Sequence, residues 1–446
     1  MSNGSILELI SKGKLDEDLT NNSSLFNYDI IKKKKYSKGD TIFYSTGKTD
    51  WGNTVRFKIE RMGDLLYGLY VRIKLPKLSI ENLNVIPQQQ EYDSTSIYRL
   101  KYADFIGNVI VEKASFYING LVIDELYGEY MQVYTDLYLS DWNRKSMIGM
   151  DDNLNKPNLK IESEFIYVPL KFHFCNDINK PLPLIALQNS EIFVDIKFRD
   201  FDECVCILEE YDTKFYHSNK IHSKVSLEEV NLLATFYFLE LDERKELAMK
   251  DYEILITQSQ YKSIVFNSQI NIDIEFNHVI KDLIFFIQPA KNKYNGEYFN
   301  FSAKTEYLPN ELIQLTQNKL WTLEPKRHLL SKARLLFNGI ERIEWRDAKY
   351  FYSMQNHENY KNPLQTYVYM YSFNSNPTKD TNFSGCNFSR LDKVQLQVII
   401  NQNPFIVDIN PERKYPLETN FELKCFATNY NFLVIKNGIG GLKYST

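Results

Sequence analysis

The stretch Glu112 to Tyr134, EKASFYINGLVIDELYGEYMQVY, returns in altered form from Lys332 to Ser353, KARLLFNGIERIEWRDAKYFYS. A shift of 338 − 119 = 219 positions brings Ala114 onto Ala333, Asn119-Gly120 onto Asn338-Gly339 and Glu125 onto Glu344. The phase is preserved: Ala114, Phe116 and Ile118 alternate with Lys113, Ser115 and Tyr117, as Ala333, Leu335 and Phe337 alternate with Arg334 and Leu336. Period-two alternation is the pattern of a half-buried strand. Asn-Gly accepts the positive φ values of a type I′ turn, so each copy reads as a β-hairpin with its turn at Asn119-Gly120 or Asn338-Gly339. A helical segment is expected after each hairpin, over residues 127–134 and 348–352. Two such units half a chain apart point to a duplicated all-β domain.

The 446 residues suit two domains of about 200 each. The 31 Tyr and 29 Phe favour pleated, half-buried surfaces. A net charge of −4 supplies no global basic field for binding nucleic acid. Five cysteines without a CxxC pair argue against a disulfide framework, and Cys204-Val-Cys206 is read as packing. There is no pattern of a signal peptide at the start and no apolar run near the roughly 18 residues of a membrane span.

An amphipathic helix is expected within residues 1–25, from Ile6, Leu7, Leu9, Ile10, Leu15 and Leu19, followed by the run Lys32, Lys33, Lys34, Lys35. Strands are expected at 54–60 and 69–75, the latter stopped by Pro76, and then at the first hairpin, 165–174, 183–188 and 191–198. A further set falls at 231–240, 279–287, the second hairpin, 365–373, 393–401 and 429–437. A short helix is expected at 242–248. The strand at 279–287 ends in Gln288-Pro289 as the earlier one ends in Leu75-Pro76, a second echo. The division expected is an arm over 1–35, a first domain over 36–220 and a second over 221–446. Many short strands without a βαβ rhythm mean antiparallel sandwiches.

Chemistry is sparse. The six histidines lack HExxH spacing, and there is no GxSxG elbow, Walker loop or strand-to-helix GxGxxG. Gly438-Ile-Gly-Gly441 reads as a chain turn. Sequons at Asn3, Asn21, Asn22, Asn300, Asn382 and Asn387 are those that an Asn-rich chain produces by chance. No catalytic, cofactor-binding or metal-binding residues and no cofactor are assigned.

Taken in order, several blocks resemble the double jelly-roll major capsid proteins of nucleocytoplasmic large DNA viruses. They are Arg61-Met-Gly-Asp64 with Leu75-Pro76, Ile118-Asn-Gly-Leu-Val-Ile-Asp124 with Tyr127-Gly128, and Leu241-Asp-Glu-Arg244. Phe276-Asn-His278, Lys281-Asp-Leu283 and Leu336-Phe-Asn-Gly339 with Arg342 continue the series. Tyr371-Ser-Phe373, Ser384-Gly-Cys-Asn-Phe-Ser-Arg-Leu-Asp392 and Gly438-Ile-Gly-Gly-Leu442 complete it. The resemblance implies two tandem eight-stranded antiparallel jelly rolls with short helices in loops and a structural, non-enzymatic role. It further implies a homotrimer forming a pseudohexameric capsomer that tiles an icosahedral shell. Its partners would be neighbouring capsomers, minor capsid or penton proteins and an inner viral membrane, with no specific nucleic acid. The place implied is the virion, assembled in the host cytoplasm, with Lys32 to Lys35 on the inner face. Alternatives are a scaffold of the same fold that shapes an immature virion membrane, or a two-jelly-roll carbohydrate-active protein.

Overall fold

The computed structural model describes residues 36–83, 97–138, 142–176, 180–211, 214–217, 224–293, 296–302, 308–309, 328–360, 366–375, 377, 384–401, 405–407, 414–416 and 420–444. The expected N-terminal helix and Lys32 to Lys35 lie outside these residues.

Eight strands build the two main sheets of the first half: β1 (Tyr36–Tyr44), β2 (Thr54–Lys58), β3 (Leu65–Leu75), β4 (Val111–Ile118), β5 (Leu121–Tyr127), β6 (Glu164–Pro169), β7 (Ile192–Phe198) and β8 (Glu229–Leu239); Ile97–Tyr102, Val205–Tyr211 and Lys214–His217 pair in a further sheet beside them. One sheet runs β1-β8-β3-β6 and the other β2-β7-β4-β5. The second half repeats the scheme with β9 (Tyr252–Phe266), β10 (Gln269–Asp273), β11 (Val279–Pro289), β12 (Leu330–Phe337), β13 (Ile340–Asp347), β14 (Tyr369–Ser372), β15 (Val394–Ile400) and β16 (Phe421–Lys436). Its sheets run β9-β16-β11-β14 and β10-β15-β12-β13, and β17 (Ile439–Leu442) adds to the edge of β16 that β11 leaves free beyond Tyr430. A first strand beside the eighth and a second beside the seventh is the double Greek key of a jelly roll. The fold class expected from the sequence is therefore present twice.

Each sheet turns its alternate residues inward. In β7 the order is Ile192, Val194, Ile196 and Phe198 inside, with Phe193, Asp195 and Lys197 half-buried between them. The second roll has its own core, including Ile280, Leu283, Phe285, Ile287, Leu335, Val398, Leu423 and Cys425. The first roll's core extends further, onto Ile256, Ile284, Phe286, Phe426, Leu433 and Ile435 of the second. Strands β11 and β16 are thus buried on both faces, Phe285 and Cys425 facing inward and Phe286 and Phe426 facing the other roll. A strand covered on both sides loses its alternation, which is why only 429–437 of β16 was legible.

Strand β8 corrects the expected division at 220/221. Residues 231–240 read as the opening of the second domain, yet β8 lies between β1 and β3, with Tyr36 opposite Leu239 and Glu229 opposite Lys74. The closing strand of a jelly roll pairs with the opening one across the whole roll, and no local pattern carries that pairing. Helix α1 (Gly128–Tyr138) belongs to the first roll, and the link between rolls is instead helix α2 (Leu241–Met249), tethered by Arg244 Nε to Asp64 Oδ1 at 2.9 Å. Two smaller differences accompany it. The segment expected as a strand to residue 174 stops at Pro169 and turns helical at His173–Asn176, and the polar crossing after 141 contains helices Trp142–Met147 and Asp152–Asn155.

Both Asn-Gly pairs take left-handed conformations: φ is 52° and 78° at Asn119 and Gly120, and 51° and 81° at Asn338 and Gly339. A Cβ added at Gly120 or Gly339 meets nothing within 4 Å, so a substitution there is opposed by backbone strain alone. Gly120→Val or Gly339→Val should each cost about 1–2 kcal/mol. Gly128→Ala should cost more, because its Cβ would stand 2.2 Å from the Asn108 carbonyl oxygen. Thermal melting of the three variants checks this ranking.

Candidate functional site: the contact between the two rolls

Helix α1 (Gly128–Tyr138) leaves β5 without a connecting loop, and Gly128 makes that possible: only a residue without Cβ passes the carbonyls of Asn108 and Val111. The turn projects Tyr127 and Tyr130 onto the outer face of β9 and β16. Tyr127 and Tyr261 have ring centroids 4.5 Å apart, Tyr261 and Phe426 4.7 Å, and Tyr130 and Phe426 5.9 Å. The tyrosine hydroxyl of Tyr130 shares a hydrogen bond with Thr428 Oγ1 at 3.0 Å. Polar backbone contacts fix the register of the two faces. Ser259 N–H donates to Asp124 Oδ1 at 3.0 Å, Ser259 Oγ–H donates to the Glu125 carbonyl, and Gln258 Nε2 donates to the Ile123 carbonyl. The amide oxygen of Gln258 is held in turn by Asn429 Nδ2 at 3.2 Å and Asn431 Nδ2 at 2.9 Å.

Deeper in the contact lies Glu129, in the first turn of α1, where a carboxylate suits the helix dipole. Its Oε1 receives Arg199 Nη2 at 2.8 Å, Lys424 Nζ at 2.6 Å and the Tyr298 hydroxyl at 2.8 Å. The Arg199 guanidinium also lies over the Tyr298 ring at 4.4 Å. All four side chains are buried. Two come from the first roll and two from the second, so the cluster exists only when the rolls are docked. Burial by itself would raise the Glu129 pKa, but Arg199 and Lys424 override it and hold the carboxyl well below the usual range. Burial lowers the Lys424 pKa, with partial opposition from Glu129 and Glu422. Burial also drives Tyr298 up, so it remains a hydroxyl donor. The chemistry of this arrangement is adhesive: its charges pair with one another across the two rolls and are enclosed, with Arg199 Nε left without a hydrogen-bond partner among the described residues.

A second junction joins the rolls at Ser190. Its Oγ accepts from Asn119 Nδ2 at 3.1 Å and from Gly440 N–H at 3.1 Å, and donates to the Gly438 carbonyl at 3.0 Å. One donor and two acceptor positions use the full capacity of a hydroxyl. Arg61 Nη2 donates to the Ser190 carbonyl at 2.6 Å and to that of Leu187, which holds this loop in place. Asn437-Gly438 is a third left-handed pair, with φ 53° and 80°, and it caps the β16–β17 hairpin. Thus the first-roll turn Asn119-Gly120 and Asn437-Gly438 meet through one serine. Asn338-Gly339 is elsewhere. It does reproduce the local bonding: Asn119 N–H donates to the Glu191 carbonyl and Asn119 Oδ1 accepts Glu191 N–H, both at 2.8 Å, while Asn338 does the same with Lys393 at 2.8 and 2.9 Å.

Sequence reasoning missed Glu129, Arg199, Tyr298 and Lys424. A signal existed in Lys424, a charge inside the apolar strand Phe421–Lys436, where burial demands a partner. Among the described residues, no three His, Cys, Asp or Glu side chains are placed to hold a metal, and no helix is long and apolar enough to cross a membrane. Burial pushes the thiols of Cys206 and Cys425 up to about 12.

Two family models match the chain, one described as major capsid protein N-terminus over residues 24–240, the other as large eukaryotic DNA virus major capsid protein over residues 243–441. The chain is 24% identical to the major capsid protein of Phaeocystis pouchetii virus, across 99% of both chains. It is likewise 24% identical to the major capsid protein of Paramecium bursaria Chlorella virus 1, across 99% of both. Among solved structures, the PBCV-1 virus capsid matches with a TM-score of 0.74 at 21% identity, covering 95% of this chain and 100% of that one. The Faustovirus major capsid protein matches with a TM-score of 0.69 at 12% identity, covering 97% of both.

Glu129→Gln should destabilise the chain by about 3–5 kcal/mol, since it takes away the carboxylate that Arg199 and Lys424 share and leaves them only the longer contacts to Glu203 at 3.5 Å and Glu422 at 3.8 Å. Lys424→Met should cost clearly less, because Arg199 still neutralises Glu129; denaturant titration of both variants checks the order. Asp124 behaves oppositely to Glu129. Burial, against the amide donors of Ser259 and Glu125, pushes its pKa from 3.8 up to about 8. Between those values the unfolded chain ionises while the folded chain does not, so stability falls as pH rises from about 4 to about 8. Asp124→Asn should remove that decline, which unfolding titrations across this pH range would reveal.

Proposed function

Because this chain belongs to the family of large eukaryotic DNA virus major capsid proteins, whose role is structural and whose place is the virion capsid, we propose that three copies close into one capsomer with six similar corners. The observation that carries this reading is the repeated sheet order, β1-β8-β3-β6 with β2-β7-β4-β5 and β9-β16-β11-β14 with β10-β15-β12-β13. Two like rolls per chain, held side by side by the Glu129 cluster, make three chains equal six like units. Closed cyclic symmetry is the common route to such a ring, and capsomers of this outline tile a shell. In this reading residues 1–35 are an arm and the two rolls divide at α2.

Mass photometry of the purified chain should give a species of three times the monomer mass, and negative-stain micrographs should display hexagonal outlines. A species that stays monomeric at micromolar concentration would overturn the reading.

A further inference from the structure

Within one chain, the hairpin β4–β5 with α1 is seated on β9 and β16. Strand for strand, β12–β13 with the helix Tyr350–Met354 is the same unit, and β1 with β8 is the same seat. Register sets the correspondence. The ladder of β8 against β3 shifts just after Thr235, and that of β16 against β11 shifts just after Thr428. Thr235 therefore matches Thr428, Leu233 matches Phe426, and their cross-strand partners Ile42 and Tyr261 match each other. On the hairpins, Lys113 stands opposite Tyr127 and Lys332 opposite Asp347, so Asp347 matches Tyr127. Three residues on, Tyr350 matches Tyr130.

The first unit has its seat in its own chain; among the described residues, the second unit and the other seat have no such partner. Ile340 is 75% exposed and Met354 48%, while on the seat Tyr44 is 74% exposed and Ile42 39%. The charges differ as well. Where the seated unit carries Glu129, the open unit carries exposed Lys349. Where the occupied seat carries Lys424, the open seat has Asn231, whose Nδ2 donates to the Glu229 carboxylate at 2.6 Å beside the ion pair of that carboxylate with Arg72 Nη1 at 2.7 Å.

We propose that β13 and Tyr350–Met354 of one copy seat on β1 and β8 of a second copy, Lys349 facing the Glu229 carboxylate and Tyr350 lying over Leu233. The contact repeats the one inside the chain with its ion-pair sign reversed. It rests on the trimeric reading, and names the faces that close the ring. The contact is head-to-tail, so each copy gives one unit and offers one seat, and three such contacts close.

Full-length chains carrying Ile42→Cys or Asp347→Cys, co-expressed and treated with a short bis-maleimide, should yield a covalent dimer; neither variant alone should. The doubly substituted chain should yield a covalent trimer. Native-size trimers that do not cross-link would overturn the assignment of faces and leave the trimer standing, whereas an unsubstituted chain that stays monomeric would overturn both. As a second measurement, Lys349→Glu should raise the trimer dissociation constant about tenfold or more, the size of one lost charge pair; an unchanged constant would also overturn the assignment.

Discussion

A buried carboxylate tolerates no approximate neighbours, and Glu129 is the point on which the relation of the two rolls turns. Its Oε1 collects an arginine and a helix-borne environment from the first roll and a lysine and a tyrosine from the second. Sliding the rolls by a single residue would strand two cations and an anion out of water. Apolar packing around it, Tyr127 and Tyr130 on Tyr261 and Phe426, supplies the attraction but tolerates many alignments. The ionic cluster adds little net stability once desolvation is counted, and its role is to select one alignment from those that greasy surfaces permit.

The duplication is unequal in an instructive way. Both hairpins retain the left-handed Asn-Gly turn and the same asparagine bridge to the neighbouring strand, to Glu191 in one roll and Lys393 in the other. These features are local and serve each roll alone. What differs is the outer face: Tyr127 against Asp347, Glu129 against Lys349, Phe426 against Leu233. The interior of a jelly roll fills whichever roll it belongs to, whereas the outside must answer to a particular neighbour. One outer face meets the other half of its own chain and has become aromatic and enclosed; its counterpart remains charged and partly exposed.

Much of the candidate site lay in plain view without being readable. Gly128, Tyr127 and Tyr130 sat in the very stretch that suggested the duplication, but the pattern there indicated only a helical segment after the hairpin. Nothing local says that this face belongs to another roll. Arg61 and Asp64 formed a recognisable block, and the fold gives them jobs: Arg61 braces the loop carrying Ser190, and Asp64 accepts both the Leu239 amide and the Arg244 guanidinium at the exit from the first roll. Strand β9 escaped notice because its centre, Gln258 to Tyr261, is polar for the sake of the facing roll.

From the sequence alone came the all-β class, the two hairpins with their turns, the duplication and the family blocks, because alternation, Asn-Gly chemistry and proline stops act over a few residues. Only the tertiary structure decided that β8 closes the first roll against β1, that β11 and β16 are buried on both faces, and that Glu129 finds Lys424 from 295 positions away. Those are contacts between distant segments, whose free energy appears only after the chain has closed large loops, and a linear pattern holds no record of which partner will be waiting.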